Sequence, residues 1–305
     1  MTSVAQRKLS LDDYRLFYQR NGYVVLPGQI SAPLIDAFLA YFKRDIKSSR
    51  AKFFRQRSGT YERNRFNEHG HVAQSFLDVH HYKRHPDFRQ AALDILFSPA
   101  LQQGLAQTSG HGRHHLMRSM LFDANPATGP HQDWWHLDSV PHGHLMGVCL
   151  ALEDIREEAG RFYVLPGSHN VKLHDSGMTH VAWLAKMQAF LDRNRDMVHA
   201  PALRKGDVLI WNSRTIHGSL EATDSRFSRK TLTAHFLPST MTFGNLFTAK
   251  PWVQYEQYGE YRYIANQPEH SFKAELVSRL KRVFSDHPKL MQLMRPFQSK
   301  SVADA

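Results

Sequence analysis

A single cysteine, Cys149, in 305 residues excludes an intrachain disulfide framework and fits a reducing compartment. No apolar run reaches the roughly 20 residues of a membrane-spanning helix, so none is expected. The N-terminus, MTSVAQRKLSLDDY, lacks an apolar core segment, which argues against a signal peptide and makes the cytoplasm the expected location. There is no internal repeat and no low-complexity segment. Zinc-finger spacing and RNA-binding signatures are also missing, so nucleic acid is not an expected partner.

Acidic residues are scarce as well: 28 Asp and Glu face 39 Lys and Arg, for a formal charge of +11. The imbalance is local, because Lys43, Arg44, Lys47, Arg50, Lys52, Arg55, Arg57, Arg63 and Arg65 are offset only by Asp45 and Glu62. A solvated face is the plain explanation. The functional one is a patch that attracts a small-molecule substrate carrying a phosphate, an acyl-carrier link or another acidic group.

What is present is a change of rhythm along the chain. Ser10 to Asn21 reads as a capped helix stopped by Gly22, Tyr23–Leu26 as a short strand, and Leu34, Ile35, Phe38, Leu39 and Phe42 recur at helical spacing after Ser31 and Pro33. Residues 43–82 read as loops and short elements able to cover a cavity mouth. Asp87 after Pro86 can cap a helix through Phe97, and Ser98-Pro99 can start another through Gln107. From His115 to Leu237, short β-prone runs alternate with turn signals such as Asn125-Pro126, Pro166-Gly167 and Lys205-Gly206. The expected fold is therefore mainly β with flanking helices, around a double-stranded β-helix core of the jelly-roll or cupin kind. We expect one domain over 1–305, with a helical and basic part to 114, the core at 115–237 and an extension at 238–305. Val181, Leu184, Met187 and Leu191 predict a helical insertion near 180–196, and Leu276, Leu280 and Phe284 a closing helix.

The chemistry concentrates in HQD at His131–Asp133. In an extended strand, residues two apart share a face, so His131 and Asp133 can offer an imidazole and a carboxylate to one point. His217, beyond the apolar strand Val208–Trp211, can supply a second imidazole. Two histidines and one carboxylate on one face of a metal leave the other face open, the arrangement that non-haem iron(II) oxygenases use. Trp135 shares the face of His131 and Asp133 in an ideal strand and becomes a pocket candidate, with core packing the alternative. His85/Asp87 reads better as the start of a helix, and His136/Asp138 runs into Ser139-Val140-Pro141, a less rigid place for ligands. Arg229, Thr231, Thr233 and His235 share one face of a later strand. A buried arginine needs an anion, and a guanidinium matches a carboxylate; Arg226 and Lys230 remain alternatives for that task.

The ordered set GYVVLPG, HQD, LEDI…G…VLPGSH (152–169), GDVLIW, IHGS and RKTL-x-x-HF resembles the phytanoyl-CoA dioxygenase family of iron(II)- and 2-oxoglutarate-dependent oxygenases, from about Leu9 to Leu237. The resemblance implies iron held by His131, Asp133 and His217, with 2-oxoglutarate and O2 as co-substrates. It implies that Arg229 pairs with the distal carboxylate of 2-oxoglutarate and that Ser219 adds a hydrogen bond, while the spacing from His217 keeps Arg226 in play. Cys149 stands where relatives can carry a bulky aromatic beside the co-substrate, which would alter the pocket. The metal-binding carboxylate of Asp133 favours hydroxylation over halogenation. The rival expectations are a non-catalytic jelly-roll module holding an acidic ligand, and a cupin-type metal dioxygenase that needs no 2-oxoglutarate.

Overall fold

The computed structural model describes residues 11–265 and 271–285. Ser10 and the closing SKSVADA segment lie outside them. Helix α1 (Leu11–Asn21) stops at Gly22, whose φ of +76° is the left-handed conformation open to glycine and whose N–H bonds Tyr18 O at 2.7 Å. Strand β1 (Tyr23–Leu26) leads to α2 (Ala32–Tyr41), which has proline in its first turn and buries Ile35 and Phe38. A wider helical turn, Phe42–Lys47, extends it and buries Phe42 and Ile46. The basic stretch that follows contains β2 (Phe53–Phe54) and β3 (Tyr61–Glu62), then β4 (Phe76–Leu77).

Helix α3 (Pro86–Leu96) corrects one expectation. His85 holds the capping position, and Asp87 sits inside the first turn with its carboxylate on Arg44 at 2.6 Å. Ser98 does cap α4 (Pro99–Ser109), accepting from Leu101 N. Then come β5 (His114–Phe122), β6 (Asp138–Val140), β7 (Met146–Ala151) and β8 (Phe162–Val164). The insertion is α5 (His180–Arg193), followed by β9 (Val208–Asn212), β10 (His217–Ser219), β11 (Thr231–Pro238) and β12 (Thr242–Gly244). Beyond Leu237 the chain forms a hairpin, β13 (Tyr255–Tyr258) and β14 (Tyr261–Ile264), before α6 (Phe272–Ser285). Among the described side chains of α6 the buried one is Glu275, held by Lys52 at 2.7 Å, whereas Leu276 is 48% exposed.

The major sheet runs β1-β9-β7-β11-β5-β14-β13, with β4 also on β5; every pairing is antiparallel except β14 on β5. The smaller second layer pairs β8 with β10, extended by His131 against His217 and by His199 against Val164. This is the jelly-roll core with flanking helices. Alternation along β11 assigns its two faces: Leu232, Ala234 and Phe236 join the core beneath α2, α3 and α4, while Thr231, Thr233 and His235 face a cavity between the layers. Burying each such large apolar side chain contributes about 1.5–3 kcal/mol, so the helix-covered face supplies the rigidity that the polar face lacks.

Candidate metal centre and active site

His131 and His217 are brought together by backbone pairing. Each donates its N–H to the other's carbonyl at 3.0 Å, so two segments 86 residues apart lie directly opposite, and their rings stand 4.2 Å apart. Gln132 is extended (φ −120°, ψ 140°), which returns Asp133 to the side of His131. The strand expected to continue does not: Asp133–Trp135 is a 3-10 turn. That turn carries Trp135 away from the cavity and onto Trp183 of α5, with ring centroids 4.7 Å apart. His136 and Leu137 reach the cavity wall instead.

Ligand atoms of His131, Asp133 and His217 lie within 4.8 Å of one another. Asp133 Oδ1 is 3.8 Å from His131 Nε2 and 3.6 Å from His217 Nε2. Nδ1 of His131 faces Gly129 O at 3.0 Å and Nδ1 of His217 faces Thr215 O at 2.9 Å. A carbonyl can only accept, so both Nδ1 atoms carry the proton and both Nε2 lone pairs are left for a metal. Burial pushes His217 down to about 3, keeping it neutral and able to ligate. Burial alone would raise Asp133, but the surrounding imidazoles hold its carboxylate below the usual range. Two imidazole nitrogens and a carboxylate oxygen suit a divalent first-row metal with an open face.

The cavity beside these residues has a volume of about 250 Å³. Arg229 lies on its wall, 4% exposed, with its Nε lacking a hydrogen-bond partner and no acidic side chain in ion-pair contact among the described residues. Its guanidinium stands 5.4 Å from the Phe122 ring. Burial lowers it only to about 10, so it remains a cation at neutral pH. Arg226 is exposed and clasped by Asp224 at 2.6 Å, and Lys230 is held by Glu153 at 2.8 Å; neither lines the cavity. Ser219 reaches the wall, but its hydroxyl donates to Asn125 and accepts from Thr128 N. Cys149 also lines it, pushed up to about 11 by burial and therefore a neutral thiol.

Several cavity residues were given no role at the site from the sequence. Trp211 reads there as strand core, yet its indole N–H donates to Asp133 Oδ2 at 2.8 Å. His235 Nε2 lies 3.2 Å from the same oxygen. Arg118 of β5 is 7% exposed on the wall, 3.8 Å from Asp78. From the basic stretch, Arg44, Lys47, Lys52 and Arg65 are engaged by acidic partners and Arg55 is buried. Gln56 and Leu77 from this region close one side of the cavity, while no residue of α5 lines it. Asp138, the alternative carboxylate, is bonded by Ser213 and Gly143 N beside His142.

A jelly roll whose layers bring two histidines and a carboxylate together, with a buried arginine on the same cavity wall, has the ligand arrangement that facial-triad oxygenases use. The phytanoyl-CoA dioxygenase (PhyH) family model matches residues 18–231, and the chain belongs to that family. It is 32% identical over 148 residues to phytanoyl-CoA dioxygenase domain-containing protein 1 of Danio rerio, covering 46% of this chain and 49% of that protein. The Bos taurus protein of the same name is 29% identical over 161 residues, covering 50% and 54%. The chain thus spans about half the length of the curated relatives it matches. Among solved structures, the alpha-ketoglutarate-dependent carbocyclase SnoK aligns with a TM-score of 0.57 at 20% identity, covering 79% of this chain and 88% of that one. EctD from S. alaskensis, with 2-oxoglutarate and 5-hydroxyectoine, aligns with a TM-score of 0.57 at 17% identity, covering 82% and 85%. No helix among the described residues is long and apolar enough to cross a membrane.

Proposed function

We propose that this protein is an iron(II)- and 2-oxoglutarate-dependent dioxygenase that hydroxylates a C–H bond of a small anionic molecule. The observation that carries the reading is Arg229: a buried cation without an acidic partner among the described residues, on the wall of the same cavity as the three candidate ligands. Such a charge is costly to bury unless an anion completes it, and a dicarboxylate does so while its other end reaches the metal. The SnoN structure, similar in fold, contains Fe3+ and alpha ketoglutarate, and we carry that pairing over as part of the proposal.

His131 and His217 present Nε2 and Asp133 presents Oδ1 to the iron, with each histidine oriented by a backbone carbonyl. Arg229 holds the distal carboxylate of 2-oxoglutarate, and Cys149 and Ser219 bound the space around it. Iron bound there supplies the O2 activation that couples decarboxylation of 2-oxoglutarate, to succinate and CO2, to insertion of one oxygen atom into a C–H bond. Leu77, Met120, Phe122 and Leu137 keep the cavity apolar and limit water. Arg118, which faces Asp78, lies on the same wall. Arg50 and Arg63 line a neighbouring cavity of about 330 Å³ that shares Leu77, so a phosphorylated or acyl-carrier-linked arm would find cations there. A ferrous site also suits the reducing cytoplasm.

The test is succinate formation from 2-oxoglutarate with iron(II), for wild type and Asp133→Ala. We expect turnover in the wild type, including a slow substrate-free rate, and its loss in the variant. Equal succinate in both rejects the assignment. Iron binding with no dependence on 2-oxoglutarate favours the cupin-type reading, and neither activity favours a binding module.

A further inference from the structure

Behind Asp133 stands a row of residues with no part in the metal or co-substrate contacts assigned above. Antiparallel pairing sets Trp211 of β9, Gly147 of β7, His235 of β11 and Arg118 of β5 next to one another across the major sheet. Residues directly opposite project from one face, so the row looks into the cavity. Gly147 makes the arrangement possible: a Cβ there would fall 2.0 Å from the Trp211 ring. Without one, the indole lies across β7 and meets His235 edge-on, with ring centroids 5.8 Å apart.

Both rings address one atom. Trp211 Nε1 donates to Asp133 Oδ2 at 2.8 Å, and His235 Nε2 lies 3.2 Å from it. Oδ1 is the oxygen near the two candidate imidazole ligands. His235 is 3% exposed, and neither of its ring nitrogens makes a hydrogen bond of good geometry among the described residues. A buried imidazole left in that condition is costly, and the nearest remedy is the oxygen already within donor–acceptor distance.

We propose, resting on the metal site argued above, that His235 is a positioning residue: its Nε2–H joins the Trp211 indole N–H in holding Oδ2 from behind, so that Asp133 meets the metal through Oδ1 alone. A carboxylate clamped in this way cannot swing to chelate with both oxygens, and the open face of the metal stays open. Outer partners of metal ligands commonly set affinity by about ten- to a hundredfold.

The experiment is anaerobic cobalt(II) titration of the metal-free protein without 2-oxoglutarate, reading affinity and the visible spectrum, so no turnover enters the result. His235→Leu fills the space without a donor and is expected to weaken cobalt binding about tenfold or more and to change the spectrum. His235→Gln keeps an N–H at similar reach and should recover affinity to within about threefold. A folded His235→Leu protein with wild-type affinity and spectrum overturns the proposal. If that variant does not fold, His235→Asn takes its place, because its amide is too short to reach Oδ2; affinity equal to that of His235→Gln then counts against the role. Asp133→Ala separates the two layers of argument. Binding at wild-type affinity after this change sinks the metal site itself, whereas affinity lowered there but intact in His235→Leu sinks only the part given to His235.

Discussion

Arg229 illustrates how one residue links stability to function. Its buried charge has no acidic partner among the described residues, so the ligand-free protein carries a desolvation cost that a bound dicarboxylate removes. Arg229→Met should therefore melt at the same temperature as the wild type or higher when both are ligand-free. Adding 2-oxoglutarate to the metal-loaded proteins should raise the melting temperature of the wild type and not that of the variant. In kinetics, the KM for 2-oxoglutarate should rise by roughly 30-fold or more, the equivalent of losing about 2–5 kcal/mol from a buried charge pair. An unchanged KM would return the anchoring role to another cation. This residue was legible in the sequence because Arg229, Thr231, Thr233 and His235 obey strand alternation. The purpose of His235 was not, since it depends on a carboxylate that arrives from 102 positions away.

At the scale of the element, the site depends on where strands stop. The sequence pattern around His131 suggests a strand that runs on through Trp135, yet the backbone turns at Asp133, so the i, i+2 relation holds for the first pair and fails for the next residue. Periodicity cannot show such a break, because it assigns faces only while one conformation persists. The hairpin β13–β14 was missed for a different reason: the aromatic crowding in YEQYGEYRYI hides its alternation, although Gly259, at φ +57°, marks the turn. Across the major sheet, Gly147 is the position most sensitive to added bulk at the metal site. Gly147→Ala should displace Trp211, weaken metal binding and destabilise the fold by about 1–3 kcal/mol, the usual range for overpacking. A denaturation curve and a cobalt titration check both halves; a variant equal to wild type in each would show that the indole can move at no cost.

For the whole molecule, a helix-covered apolar face and a polar cavity face make one sheet serve two tasks, and buried histidines record the consequence. His80 and His114, neither of which lines the cavity, are kept neutral by burial: His80 lies well below its ordinary 6.5 and His114 is lowered to about 3. The unfolded chain therefore takes up protons first as pH falls. The contribution of His114 is intact above about pH 6.5 and is lost progressively towards pH 3, by up to about 1.4 kcal/mol per pH unit, and that of His80 falls in the same direction. Urea midpoints measured from pH 7.5 down to pH 5 should fall, and a flat profile would contradict the account. The jelly-roll layout was legible at this scale from turn spacing, and His217 was named there as the partner of His131, while the backbone bridge that joins them was not legible, because nothing local encodes which distant strands pair. The most direct test of the central claim is anaerobic calorimetry of iron(II), followed by 2-oxoglutarate, on the metal-free protein. The account predicts one iron per chain, 2-oxoglutarate binding that requires the iron, and loss of both in His217→Ala. Iron binding that survives His217→Ala, or 2-oxoglutarate binding equally well without metal, would contradict it.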